Sequence, residues 1–188
     1  MKQIRKTSEI VESMLGQLSA VVDPILPNDL KSEIVTMLND RLVDEYIAHY
    51  YYFNAGNWCN NQGYVNAGKF FIDESNSELE HVKKLQDYLI AWNVQPEIPQ
   101  VETKTEINGL VEIINRAYQL EYNLLLKYSE NLKQCLVKDS NTFLFLQDYV
   151  KIQNESVIEY SDLLNTLRLI DWNDKYQLLY FENEYFGD

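Results

Sequence analysis

Glycine and proline fall mostly at the seams between long stretches whose apolar residues recur every three or four positions, and this spacing confines the chain to a few long helices. Only 6 Gly and 4 Pro occur in 188 residues. Pro24 and Pro27 close a first segment in which Ile10, Val11, Met14, Leu15, Leu18, Val21 and Val22 form an amphipathic stripe, predicting an N-terminal helical extension over residues 1–28. Asn28 or Asp29 can cap the next helix, which runs through Ile34, Leu38, Leu42, Tyr46 and Phe53 to the turn Asn60-Asn61-Gln62-Gly63. A further helix is predicted from about Tyr64 to Trp92, and Pro96 and Pro99 forbid its continuation. Residues 93–105 form the longest non-periodic stretch, which suits a crossover from one end of a bundle to the other. Two more helices follow, one from Glu106 to near Lys138-Asp139-Ser140 and one from about Asn141 to Leu169, with a short aromatic helical piece over Tyr176 to Phe186. The expected fold is therefore all-α. Residues 29–188 make a four-helix bundle with one long crossover, an extra helix before it and a short helix after it.

Charge narrows the partners. The 16 Lys and Arg against 29 Asp and Glu leave a net charge of −13, which repels nucleic acid and anionic lipid and attracts cations. Such an excess is equally the mark of a solvated acidic surface, so position has to decide whether any of it is a site. Cys59 and Cys135 have no close partner in sequence, which argues against a disulfide framework and for a reducing compartment. The basic start MKQIRK is interrupted by Glu9 and Glu12 before any apolar run develops, and no later run approaches a membrane span. A cytoplasmic protein is expected.

The informative residues are polar ones on apolar stripes. Glu45 lies seven and three residues after Leu38 and Leu42, and three and seven before Ala48 and Tyr52. Glu78 and His81 are three apart, about 60° around a helix axis, and share a face with Leu85. Glu121 follows Ala117 and Ile114 on the inward side of its helix, and Gln153 follows Tyr149 and Leu146. A single Glu taken alone reads best as part of a solvated helix face, and a lone His as a satisfied structural residue. Together they read differently. Carboxylates buried without a partner cost several kcal/mol each, so a set of them in one core calls for a shared cation. Glutamate oxygens with one imidazole suit iron, whereas structural zinc usually draws on Cys and calcium avoids nitrogen. His49, four after Glu45, reads as packing or surface, and of the run Tyr50-Tyr51-Tyr52 only Tyr52 has a case for chemistry.

With these residues assembled, the chain resembles the non-haem ferritins over roughly residues 34–186. The spans LNDRLVDEYIAHYYYFNAGNW, FFIDESNSELEHVKKLQDYLIAW, YQLEYNLLLKY and FLQDYVKIQNE look like that family's four helix segments in the family's order. The resemblance implies metal ligands at Glu45, Glu78, His81, Glu121 and Gln153, with Glu78 bridging two irons and Tyr52 beside them. It implies oxidation of iron(II) by dioxygen or peroxide at a di-iron centre. The ferric product would be stored as mineral in a hollow homo-oligomeric shell, typically of twenty-four subunits. Ferritin-like carboxylate proteins commonly carry Glu-x-x-His on two helices; here the second such place reads Gln153 and Ser156.

Other departures bear on function. The acids of the accessory third iron site fall at Ser77, Ile152 and Ser156, with Glu155 alone remaining nearby, so that site is expected to be absent. The haem methionine of bacterioferritins is replaced by Leu79, so no haem is expected. The acidic pair lining the three-fold channel of animal ferritins falls at Phe143 and Leu146, and Glu80 matches a mineral-nucleating carboxylate while Lys83 replaces its neighbour. Two other functions compete: a shell or interaction protein whose N-terminal helix serves a protein partner, with metal binding incidental, and a di-iron oxidase acting on an organic substrate.

Overall fold

The computed structural model describes residues 30–102 and 106–187. The N-terminal extension predicted over residues 1–28, and the capping residues Asn28 and Asp29, lie outside the described residues. Five helices occur among the described residues: α1 (Ser32–Gln62), α2 (Val65–Ala91), α3 (Leu110–Lys138), α4 (Ser140–Leu167) and α5 (Lys175–Phe186). Strands are absent from these residues. The chain is all-α, as its periodicity requires.

Helices α1 and α2 pack as one antiparallel hairpin and α3 with α4 as another. The first hairpin turns at Gly63, whose φ of 90° is open to glycine at no steric cost, and the Gly63 and Tyr64 N–H groups close the last turn of α1 on the Asn60 and Cys59 carbonyls. Two other glycines let the helices approach. A Cβ on Gly68 would lie 2.3 Å from the Asn60 side chain, and one on Gly56 would lie 2.7 Å from Ile72. The second hairpin turns on Asp139, which ends α3 and whose carboxylate accepts the Thr142 N–H at 2.8 Å to cap α4. Between the hairpins runs the predicted crossover, tied to α1 by the Glu97 N–H donating to the Asn39 side chain at 3.1 Å.

Three starts differ from expectation or lack their usual cap. Helix α1 begins at Ser32 behind Lys31, with no side-chain cap, rather than directly after Asn28 or Asp29. Helix α3 begins at Leu110 rather than near Glu106, because the extended Gly109 precedes it. Helix α2 has no cap of its own at Tyr64; instead Glu182, on α5, accepts from the Asn66 and Ala67 N–H groups at 2.7 and 2.9 Å. The acceptor that sequence-local rules seek next to a helix start comes here from 116 residues away. Replacing Glu182 with alanine leaves those buried donors unmet and is expected to destabilise the chain by about 1–3 kcal/mol; a urea midpoint matching the parent's would refute that capping role.

The core runs through all four long helices, with Leu38, Leu42, Leu85, Ile114 and Leu146 fully buried along it. No helix of the described residues is long and apolar enough to cross a membrane. Tyrosine is unusually prominent in this core: Tyr52, Tyr128, Tyr149 and Tyr160 are all at most 1% exposed. A buried phenol needs a hydrogen-bond partner, and the partners of these four lead directly to the polar cluster between the helices.

Candidate metal centre

The six residues singled out by periodicity are all buried. Glu45, Tyr52, Glu121 and Gln153 are at most 1% exposed, Glu78 4% and His81 6%. Each long helix contributes: α1 brings Glu45 and Tyr52, α2 Glu78 and His81, α3 Glu121, and α4 Gln153. Each sits on an inward stripe for the periodic reason given above, so packing of the apolar neighbours carries the polar side chains inward with them.

Glu45, Glu78 and His81 form the tightest group, each offering a donor atom within 4.8 Å of the others. His81 Nδ1 stands 2.9 Å from Glu78 Oε2 and 3.4 Å from Glu45 Oε2. Glu121 and Gln153 are not part of that trio and make an adjoining pair. With its amide nitrogen turned toward Glu121, Gln153 donates to Oε2 at 2.7 Å. The Tyr52 hydroxyl donates to the other Glu121 oxygen, joining α1 to α3 at this level.

The electrostatics are those of too much negative charge in too little water. Burial, followed by the facing charge of Glu45, pushes the Glu78 carboxyl well above the usual carboxylate range. Burial pushes Glu121 up to about 8, with Glu45 and Glu74 adding to it against the hydrogen bond from Tyr52. Burial also opposes ionisation of Glu45, but hydrogen bonds from His81 and Glu78 outweigh it and hold that carboxyl below its ordinary value. Burial and mutual repulsion thus favour a proton on Glu78 beside an ionised Glu45. Glu45 Oε2 is fully buried and has no hydrogen-bond partner. A buried anionic oxygen without a donor, facing a second carboxylate and an imidazole nitrogen, fits a divalent or trivalent cation, which would take the place of that proton.

Sequence reasoning missed the groups that hold these ligands. Tyr128 is fully buried and donates to Glu45 Oε1. Tyr149 donates to the His81 carbonyl at 2.7 Å and meets the imidazole edge-on at 5.9 Å. Tyr160 stacks on Tyr52 and donates to Glu74 Oε2 at 3.5 Å. Glu74 is itself perturbed, burial and the opposing Glu159 pushing its carboxyl up to about 7. The signal was present: Tyr128 is seven after Glu121, Tyr160 seven after Gln153, Tyr149 four before it, and Glu74 four before Glu78. A tyrosine on an inward stripe reads as core, and only the position of its hydroxyl distinguishes the two roles.

The residues set aside stay outside. His49 faces Ser75, its Nδ1 2.9 Å from both the carbonyl and the hydroxyl. Glu80 and Glu155 are exposed, and Leu146 is core.

Residues 35–170 match the ferritin family, described as a ferritin-like domain. A probable bacterial non-heme ferritin-like protein of Haemophilus influenzae is 30% identical over 148 residues, covering 78% of this chain and 90% of that one. A bacterial non-heme ferritin of Campylobacter jejuni is 27% identical, covering 75% and 86%. Among solved structures, the open pore ferritin of the archaeon Archaeoglobus fulgidus superposes with a TM-score of 0.78 at 25% identity, covering 83% of this chain and 96% of that one. The Chlorobium tepidum ferritin gives 0.74 at 28%, with the same coverage of both chains. Sequence match and helix arrangement run together over nearly the whole described bundle, and on those grounds the chain belongs to the ferritin-like family.

Proposed function

We propose that this chain is the subunit of an iron-storage ferritin and oxidises iron(II), with dioxygen or peroxide as acceptor, between its own four long helices. The observation that carries the reading is the buried Glu45–Glu78–His81 group, in which one oxygen of Glu45 has no hydrogen-bond partner. Glu45 and His81 would bind one iron and Glu121 with Gln153 the second, with Glu78 between them. Iron here is substrate as well as ligand, since the ferric product leaves for storage. Two adjacent irons can pass a pair of electrons to one acceptor without releasing a one-electron oxygen radical.

The protein's own groups set the stage. Tyr128 and Tyr52 each hold one oxygen of a ligating carboxylate, leaving the other free to turn to the metal. Tyr149 fixes the backbone and ring of His81, the kind of support that orients a metal-binding imidazole. Displacement of the Glu78 proton makes iron binding proton-releasing. The compartment we assign is the cytoplasm, and the working particle a hollow shell of identical chains.

Anaerobic titration with iron(II), followed by oxygen, tests the site. Saturation near two irons per chain and rapid oxidation on admitting oxygen are expected. Weak, unsaturating binding with oxidation no faster than in buffer would sink the proposal. Binding is also expected to release protons to a weakly buffered solution, more at pH 6 than at pH 9, where Glu121 has already lost its own.

A further inference from the structure

The metal centre is flanked by two tyrosine pairs, and they are built alike. On one side Tyr52 donates to Glu121 and stacks on Tyr160, with ring centroids 6.1 Å apart and planes within 8°. On the other, Tyr128 donates to Glu45 and stacks on Tyr149 at 4.8 Å and 21°. The sequence singles out only Tyr52. A core phenol needs no more than a backbone carbonyl for its hydroxyl, and Tyr149 is satisfied in that way by His81. Tyr128 is instead set on a carboxylate of the metal trio, with its ring sealed from water.

That placement permits a particular chemistry. A phenol gives up an electron readily only if its proton has somewhere to go, and Glu45 Oε1 already accepts that proton in a hydrogen bond. The Arg41 guanidinium, 6.0 Å from the Tyr128 ring centroid, makes a buried radical cation unfavourable and so couples loss of the electron to loss of the proton. Resting on the iron oxidation proposed above, we infer that Tyr128 is a second one-electron donor which, together with Tyr52, lets a single chain reduce dioxygen fully to water.

The electrons balance. Two iron(II) ions alone supply two, which takes dioxygen only to hydrogen peroxide. With both tyrosines, one dioxygen, two iron(II), two phenols and two protons give two waters, two iron(III) and two neutral phenoxyl radicals. Two further iron(II) ions and two protons then restore the phenols. The gain is that no peroxide is set free beside iron, and Tyr149 and Tyr160 lie in stacking contact to share the unpaired spin.

The test uses the full-length assembled protein, supplied with two iron(II) per chain and oxygen and then freeze-quenched. With 3-fluorotyrosine placed at position 128, which keeps the hydroxyl and the fold, the tyrosyl radical spectrum is expected to acquire fluorine splitting. In Tyr128→Phe, where the two irons and Tyr52 together fall one electron short of reducing dioxygen to water, hydrogen peroxide, scarce in the parent, should become a released product and the tyrosyl radical signal should fall several-fold. A fluorotyrosine spectrum identical to the parent's, or a peroxide yield unmoved by Tyr128→Phe, overturns the inference and leaves the ferroxidase reading intact. A parent protein that fails to oxidise iron overturns both.

Discussion

Glu78→Gln is expected to slow iron(II) oxidation by about 100-fold or more while leaving the stability of the metal-free protein unchanged. Glutamine has the shape of a protonated glutamate, and Glu78 is a carboxyl that burial and Glu45 hold protonated in the absence of metal. Its amide can still donate to Glu45, so the resting arrangement is kept. What disappears is the anion that should sit between two irons. Iron binding falls because a neutral amide cannot offset the second cation's charge, and oxidation falls with it because the two-electron step needs both irons. The metal-free form keeps its stability, because the neutral amide stands where a neutral carboxyl stood. Stopped-flow oxidation and thermal denaturation of the same preparation read both effects. A variant that lost activity and stability together would point instead to a structural role for Glu78.

The second large effect is on pH. Carboxyls whose folded-state pKa is raised contribute fully below their unfolded value, near 4.5, and lose that contribution as pH climbs toward the folded value. Glu121, pushed up to about 8, and Glu74, pushed up to about 7, both act in this sense. Glu121 alone has an upper bound of about 5 kcal/mol across that window. Glu45 acts oppositely, since a carboxyl held below its ordinary value loses its contribution as pH falls through the folded value. The metal-free protein is therefore expected to be most stable near pH 5 and to lose thermal midpoint steadily up to pH 8. Saturating zinc(II), a redox-inert stand-in for iron, should reverse most of that loss, because it supplies the charge the carboxylates need. A midpoint that is flat or rising between pH 5 and 8 without metal contradicts this reading of the cluster.

How much of this was legible in the sequence depends on what each residue advertises. The helices were, because Leu38, Leu42 and Leu85 repeat with the helical period and Gly63, Pro96 and Asp139 mark where the period stops. Glu45, Glu78, His81, Glu121 and Gln153 were picked out as polar residues on apolar stripes, and the structure buries all five. Tyr128 was invisible for the opposite reason. Its aromatic ring agrees with the stripe it lies on, and its chemistry resides in one hydroxyl whose partner is on another helix. Glu74 was hidden similarly, since nothing local indicates that Glu159 on α4 will face it. The cap on α2 lay beyond local rules altogether, because Glu182 and Asn66 meet only once the chain has folded.

That last contact orders events during synthesis. The ribosome makes α2 well before Glu182 has been translated, so the opening turn of α2 must wait, with its amides hydrated, until α5 emerges. Closure of the first turn of the helix that carries Glu78 and His81 is thereby tied to synthesis of α5, and a nascent chain stalled before Glu182 leaves that turn open.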